Sequence, residues 1–280
     1  MGKFIKQQIN LTVSVVIPTI GRESIIQAIQ SVIDQSIICH EIIVIKDRCN
    51  LPVFNFQTRI PIKIFQSDFP GVSNARNLGI KKATGQYVAL LDDDDLWVSN
   101  KIEKQLDILL EGLHNKKDYI VSCRVMRQNG LNLGIQPKKL YLGGKISTYL
   151  YELSWMPTKK AMYTPTLLIP TLLARSIRFN PELKNREDID FLIRAQQHGA
   201  QIHQLIDVLC LVRDNKSRSW NRENLSSFFL WTRYLIRFDL RSAFCYFFGV
   251  GMRTLVLKYL YKLKISMILI GKFKNSNSSI

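Results

Sequence analysis

Tyr87-Val88-Ala89-Leu90-Leu91-Asp92-Asp93-Asp94-Asp95-Leu96-Trp97 carries an apolar run straight into four consecutive carboxylates, in a chain whose formal net charge is +17. The apolar part has the length and continuity of a strand buried on both faces. Four like charges in succession repel one another, so the run needs a cation, basic side chains or full solvation. A hard divalent cation with oxygen ligands suits such a cluster; a solvated turn is the plain alternative. Position favours a site, because ligands of open α/β sheets bind outside the carboxyl ends of parallel strands.

Working outward, Val13 to Ile17 is a second continuous apolar run, closed by Pro18. Ile25, Ile26, Ile29, Val32 and Ile33 then recur at helical spacing. Glu41 to Ile45 and Pro61 to Phe65 read as further strands, and Gly71 to Thr84 as the helix that leads into the Asp-tipped strand. Strands alternating with helices predict an α/β fold with a parallel sheet and crossovers. Downstream, the pattern predicts a helix from Lys101 to Leu110 that buries Ile102, Leu106 and Leu109, then a strand from Asp118 to Gln128 with an Asn129-Gly130 turn. Leu131 to Pro165 reads as irregular, and a strand at Leu167 to Ile169, a helix from Arg186 to His198 and a strand from Ile202 to Val212 follow.

The 280 residues, 46% hydrophobic, are enough for one large domain or two small ones. Five scattered cysteines with no Cys-x-x-Cys pair argue against a zinc site or a disulfide framework and suit a reducing, cytoplasmic setting. The apolar stretch from Leu11 to Ile17 is short, contains Thr12 and Ser14 and ends at Pro18, so it reads as a first strand and not a signal peptide.

From Asn221 onward the composition changes to helices rich in aromatic and basic residues. Between Phe228 and Ile280, nine Lys and Arg stand against Asp239 alone, a balance of +8 that is nearly half the net charge. The uncharged run between Arg241 and Arg253 is too short to span a bilayer. Aromatics flanked by Lys and Arg on amphipathic helices suit an anionic membrane surface, or else pack on the preceding domain with a solvated basic face. The expected division is therefore an α/β domain over residues 1–220 and a helical basic tail over residues 221–280.

Asp47 ends the second strand, where a carboxylate can accept hydrogen bonds from a nucleobase or ribose. Arg76 and Asn77, on the helix before the Asp strand, can serve a nucleotide or bind the aspartates themselves. On the helix beginning near Arg186, about 100° per residue puts Ile189, Leu192 and Ile193 on the buried side and Asp188 at its edge. Glu187 and Asp190 are expected to point away, with Asp190 paired to Arg194 four residues on. An inward carboxylate at a helix N-terminus is either a cap or a functional group.

Val13-Ser14-Val15-Val16-Ile17-Pro18-Thr19, Asp47, Ser73-Asn74-Ala75-Arg76-Asn77-Leu78-Gly79, Gly85-Gln86-Tyr87 and the Leu91-to-Trp97 segment together resemble the family 2 glycosyltransferases of the GT-A fold. Arg186-Glu187-Asp188-Ile189-Asp190 is similar to that family's Glu-Asp-x-Asp helix, and the resemblance spans roughly residues 11 to 220. It implies a Rossmann-like nucleotide-binding sheet with flanking helices. Pro18, Thr19, Asp47, Arg76, Asp92 and Asp93 are implied to bind a nucleotide sugar, Asp94 a divalent metal (manganese or magnesium), and Asp188 is implied to be the catalytic base. Two departures fall beside the nucleotide: Lys46-Asp47-Arg48 where paired aspartates and a glycine are common, and Ile20-Gly21 after Pro18-Thr19.

The resemblance further implies an inverting hexosyltransferase that moves a sugar from a nucleotide-diphosphate donor, a UDP-sugar, to a hydroxyl of a glycan or lipid-linked acceptor in bacterial surface polysaccharide synthesis. It would be cytoplasmic, peripheral on the inner face of the membrane. The rivals are a sugar nucleotidyltransferase, which would want a more Gly-rich loop than Pro18-Thr19-Ile20-Gly21-Arg22, and a basic nucleic-acid-binding protein, whose phosphate partner the acidic tetrad would repel. No nucleic-acid partner is expected.

Overall fold

The computed structural model describes residues 11–114, 119–151, 160–183, 185–213, 225–251, 256 and 259. The chain divides into two compact units, one of Met1–Ile146 with Lys159–Lys216, the other of Ser147–Thr158 with Ser217–Ile280.

The first unit is built on one sheet. Its strands are β1 (Val13–Thr19), β2 (Glu41–Lys46), β3 (Ile62–Gln66), β4 (Tyr87–Leu90), β5 (Leu96–Trp97), β6 (Tyr119–Asn129), β7 (Asn132–Gln136), β8 (Leu168–Pro170) and β9 (Gln201–Arg213). They run in the order β3-β2-β1-β4-β8-β6-β9-β5, with β7 paired to β6. β3, β2, β1 and β4 are mutually parallel, as the strand–helix alternation predicts. Beyond β4 the expectation of a parallel sheet fails: β8 is antiparallel to both β4 and β6, β7 to β6 and β5 to β9, while β6 and β9 are parallel. Short strands such as β5 and β8 carry too few residues to reveal a direction by pattern.

Every residue of β1 and β4 is buried, which is why both read as unbroken apolar runs. Helix α1 (Ser24–Ile33) buries Ile25, Ala28, Ile29 and Val32, one stripe at helical period. Helix α2 (Val72–Lys82) lies so close to β1 that a Cβ on Gly79 would stand 2.2 Å from Val16 Cγ1. Helix α3 (Lys101–His114) buries Ile102, Leu106 and Leu109 as expected, and Lys101 and Gln105 with them. The Lys101 ammonium donates to Gln105 Oε1 at 2.7 Å and sits 3.9 Å from the Trp97 ring centre. Gln105 in turn donates to the carbonyls of Val121 and Thr166, so a polar network crosses this part of the core with both Gln105 amide donors used.

Leu131 to Pro165, unreadable by periodicity, contains β7, helix α4 (Ile146–Leu150) and the start of a 3-10 turn at Thr164–Thr166. Gly130, at φ +61°, turns β6 into β7. Helices α5 (Thr171–Ile177) and α6 (Glu187–Gln197) complete the described part of this unit.

The second unit contains α7 (Leu225–Ile236), α8 (Leu240–Cys245) and a π-helical turn, Tyr246–Gly251. Its interior is aromatic: Trp231 Nε1 donates to the Tyr151 hydroxyl at 2.9 Å, and Tyr151 and Phe228 both pack on Tyr246. No helix among the described residues is long and apolar enough to cross a membrane. All five cysteines are free thiols.

Glu41, buried at the start of β2, accepts hydrogen bonds from Ser14 Oγ, Thr84 N, Thr84 Oγ1 and Lys63 Nζ, all within 2.7 Å. Burial alone would raise its carboxyl; the Lys63, Ser14 and Thr84 bonds outweigh it and hold the group at about 2. A carboxylate depressed on folding contributes stability above its unfolded value and loses it as pH falls toward the folded one. Glu41→Gln should therefore cost about 2–3 kcal/mol in urea unfolding at neutral pH, and the gap to the parent chain should close between roughly pH 4.5 and pH 2. A gap that does not change with pH would assign the loss to packing.

Candidate active site

In the order β3-β2-β1-β4 the chain steps outward from β1 in one direction, then returns to place β4 on its other side. Such a reversal opens a crevice at the carboxyl ends of the two central strands. Thr19 ends β1, Asp47 follows β2 and Asp92–Asp95 follow β4, so the predicted residues share that edge.

The four aspartates are drawn to different partners. Asp92 Oδ1 accepts from Arg76 Nη2 at 2.8 Å. Asp93 is buried with both oxygens engaged: Oδ2 takes the Thr19 hydroxyl at 2.7 Å and the Ile20 N–H at 3.3 Å, and Oδ1 pairs with Arg22. Asp94 Oδ2 pairs with the same Arg22 Nη1 at 3.1 Å. Asp95, also buried, accepts the Arg213 N–H at 3.0 Å, and burial with the charge of Asp92 pushes its carboxyl up to about 9. The cation demanded by the acidic run is thus supplied twice from within the chain. Arg22 carries no signal of its own in the sequence beyond lying in the loop that the Asp strand must face.

Gly21, at φ +85°, lets that loop turn tightly, since a Cβ there would stand 2.4 Å from Asn50 O. Pro18 is paired within the sheet beside Ile45, just before Thr19. Asp47 Oδ2 accepts the N–H of Gly71, whose φ of +105° begins α2, so the second strand's carboxylate fixes the start of the helix that bears Arg76.

Arg76 is buried and forked. Nη2 holds Asp92, Nη1 donates to Glu187 Oε1 at 3.0 Å, and its guanidinium carbon lies 5.3 Å from the Phe179 ring centre. Burial opposes its charge, but Asp92 and Glu187 outweigh burial and raise its pKa. Its Nε has no hydrogen-bond partner among the described residues. Asn77 closes a two-way bond with Phe179, donating to its carbonyl at 2.8 Å and accepting its N–H at 2.7 Å. Phe179 stacks on Phe191 of α6 at 4.7 Å. Helix α2 therefore grips the segment leading to α6 by charge, amide and ring together.

Glu187, expected to face away, turns inward to Arg76 because a buried guanidinium with a free donor edge outcompetes solvent. Asp190 is likewise fully buried and not outward. Its pairing with Arg194 is as read from the spacing, and Arg194 also donates to the carbonyls of Ile177 and Arg178. Ile189, placed on the buried side by phase, is only half-buried. An apolar wheel misjudges α6 because ion-paired residues occupy part of its buried surface. Asp188 accepts the Ile189 N–H at 2.8 Å. Burial first, then the charge of Glu187, push its carboxyl up to about 7 against the pull of Arg76.

Among the described residues, no group of three or more His, Cys, Asp or Glu side chains is arranged to hold a metal by itself. Asp92 and Asp94 offer hard oxygen donors. Burial raises the Asp94 carboxyl, and the charges of Asp92 and Asp93 add to this against Arg22, so an arriving cation would stabilise its ionised form. One or two carboxylates completed by phosphate and water is a donor set that suits magnesium; the residues present fit such an ion. Of the basic segment Arg213 to Ser219, Arg213 donates its guanidinium to Gln27, and residues 214–219 lie outside the described residues.

A sheet of this topology, with carboxylates and arginines at its switch-point edge, is that of a nucleotide-binding α/β domain. The family "Glycosyl transferase family 2" matches residues 14–178, and the chain belongs to it. It is 29% identical over 203 residues to the amylovoran biosynthesis glycosyltransferase AmsB of Erwinia amylovora, covering 68% of this chain and 65% of that one. Over 105 residues it is 33% identical to the Escherichia coli UDP-Glc:alpha-D-GlcNAc-diphosphoundecaprenol beta-1,3-glucosyltransferase WfgD, covering 35% and 41%. The S. aureus TarS structure in complex with UDP-GlcNAc superposes with a TM-score of 0.59 at 20% identity, covering 84% of this chain and 69% of that one. The chain spans 15% to 65% of the length of the first curated relatives it matches.

Arg76→Leu should destabilise the first unit by about 2–4 kcal/mol in urea unfolding, since the half-buried Asp92 and Glu187 would lose the cation between them. Arg76→Lys should recover part of that loss, because a single ammonium cannot reach both carboxylates as a fork does. An unchanged midpoint for Arg76→Leu would mean that water or Arg22 neutralises the edge instead.

Proposed function

We propose that the chain transfers a sugar from a UDP-sugar to a hydroxyl of a glycan or lipid-linked acceptor, with inversion, in the synthesis of a bacterial surface polysaccharide. The observation that carries this reading is the Arg76 fork, which ties Asp92 at the tip of β4 to Glu187 and, through it, to the neighbouring Asp188. Family membership supports the transfer itself and sets aside the nucleotidyltransferase reading. The activity that WfgD is named for, a glucosyl transfer from UDP-Glc to a diphosphoundecaprenol-linked sugar, supports a UDP-sugar and a lipid-linked acceptor. The UDP-GlcNAc complex of TarS supports the same donor class.

Pro18, Thr19 and Asp47 hold the nucleotide at the edge of β1 and β2, and Arg76 keeps Asp92 oriented beside it. Asp93 orders the Thr19-to-Arg22 loop through its bonds to Thr19, Ile20 and Arg22. Manganese or magnesium held by Asp94 and Asp92 would supply neutralisation of the departing diphosphate. Asp188 accepts the proton of the acceptor hydroxyl as its oxygen bonds to the anomeric carbon, and the bond from that carbon to the UDP oxygen breaks on the opposite face. One displacement inverts the configuration.

Asp188 works as a base only when ionised, and its carboxyl is held at about 7. kcat/KM should therefore fall about tenfold per pH unit below neutrality, with its acid limb near pH 7. Asp188→Asn should lower kcat about a hundred- to ten-thousandfold while calorimetric donor affinity stays within a few fold. Near-parental turnover would remove the base from Asp188. Asp94→Ala should abolish the metal-dependent part of donor binding; equal affinity with and without manganese in the parent chain would remove the metal. Incubation with a panel of nucleotide sugars, metal present and absent, tests the donor: release of UDP from one of them is expected, and release of another nucleoside diphosphate would overturn the UDP reading.

A further inference from the structure

The second unit presents an exposed face that is both apolar and basic. On α7, Phe229, Leu230, Arg233, Ile236 and Arg237 are exposed, and at 100° per residue they fall within an arc of about 120°. On α8 and the π-helical turn after it, Leu240, Arg241, Phe244 and Phe248 are exposed at the same kind of spacing. The opposite sides are fixed: Phe228, Trp231, Leu235 and Tyr246 are buried in the aromatic interior. These exposed apolar residues are therefore not waiting for a place in their own core. Leu230 is 67% exposed and Leu240 71%, in a unit that has other large side chains fully enclosed.

Charge selects the occupant. The three arginines interleave with the apolar residues, and the only carboxylate between Phe228 and Ile280, Asp239, is engaged by the hydroxyls of Ser147, Thr148 and Ser242. A second copy would bring like charge against like. The remaining tail of this chain is itself basic, with Arg253, Lys258, Lys262, Lys264, Lys272 and Lys274 and no acid. Nucleic acid satisfies the arginines but leaves Leu230, Ile236 and Leu240 against phosphate and water. An anionic bilayer satisfies both kinds of side chain, with acyl chains for the apolar residues and headgroups for the guanidinium groups.

We propose that the face formed by Phe229, Leu230, Ile236, Leu240, Phe244 and Phe248 with Arg233, Arg237 and Arg241 seats the second unit on an anionic lipid surface. It lies flat in the headgroup region and does not cross the bilayer.

The test is co-sedimentation of the full chain with phosphatidylcholine vesicles, with and without phosphatidylglycerol. The parent chain should sediment only with the anionic vesicles. Arg233→Gln/Arg237→Gln/Arg241→Gln should weaken that binding about a hundredfold, as three basic residues near a charged surface would. Leu230→Ser/Phe244→Ser should weaken it at least tenfold at unchanged net charge. All five positions are exposed, and equal thermal melts of the variants and the parent chain separate lost docking from lost folding. Parent-like binding by either variant overturns the proposal. So do equal binding to neutral vesicles, capture of a single-stranded oligonucleotide in place of vesicles, and dimerisation that these substitutions abolish. UDP release by both variants in the absence of lipid should match the parent chain, so the sugar-transfer reading stands or falls separately.

Discussion

Compensation of buried negative charge at the carboxyl edge of the sheet is the constraint on which the first unit depends. Ending a fully buried strand in four carboxylates puts like charges where water is scarce, and each must find a donor or remain protonated. Arg22 takes Asp93 and Asp94, Arg76 takes Asp92, and the Arg213 N–H takes Asp95, which stays above the usual carboxylate range. Because those donors come from the β1 loop, α2 and the end of β9, satisfying the charge also draws three distant parts of the chain together. The electrostatic problem and the assembly of the edge have one solution.

Arg76 extends that solution to α6. A guanidinium presents two donor edges in a fixed plane, so one side chain can serve Asp92 and Glu187 at once, where a lysine would serve one well. Asn77, Phe179 and Phe191 hold the same junction by amide bonds and stacking. Burial first, and then the charge of Glu187, raise the neighbouring Asp188 to about 7. The group proposed as base thus owes part of its basicity near neutral pH to a residue whose own partner reaches the Asp strand.

Much of this was legible in the chain. The runs at Val13 to Ile17 and Tyr87 to Leu91 announced central strands because burial on both faces leaves no polar alternation to disguise them. The same argument failed beyond β4, where two- and three-residue strands depend on their neighbours for direction, and in Leu131 to Pro165, where α4 has only five residues. For α6, an apolar wheel assigned Glu187 and Asp190 to solvent. Both are turned inward by arginines, one of which, Arg76, lies 111 residues away in sequence.

By itself, the sequence determined the α/β class, the Asp-tipped strand, the company of Pro18, Thr19, Asp47 and Arg76 at one sheet edge, and the change to a basic aromatic composition near residue 220. These follow from local pattern, from the rule that links strand ends to sites and, for Pro18, Thr19 and Arg76, from the resemblance to family 2 glycosyltransferases. Tertiary structure alone decided which cation meets which carboxylate, that Glu187 faces inward, and which apolar residues of α7 and α8 remain uncovered. The physical reason is common to all three: ion pairing and exposure are properties of distance between segments, and no single segment carries the coordinates of its partner.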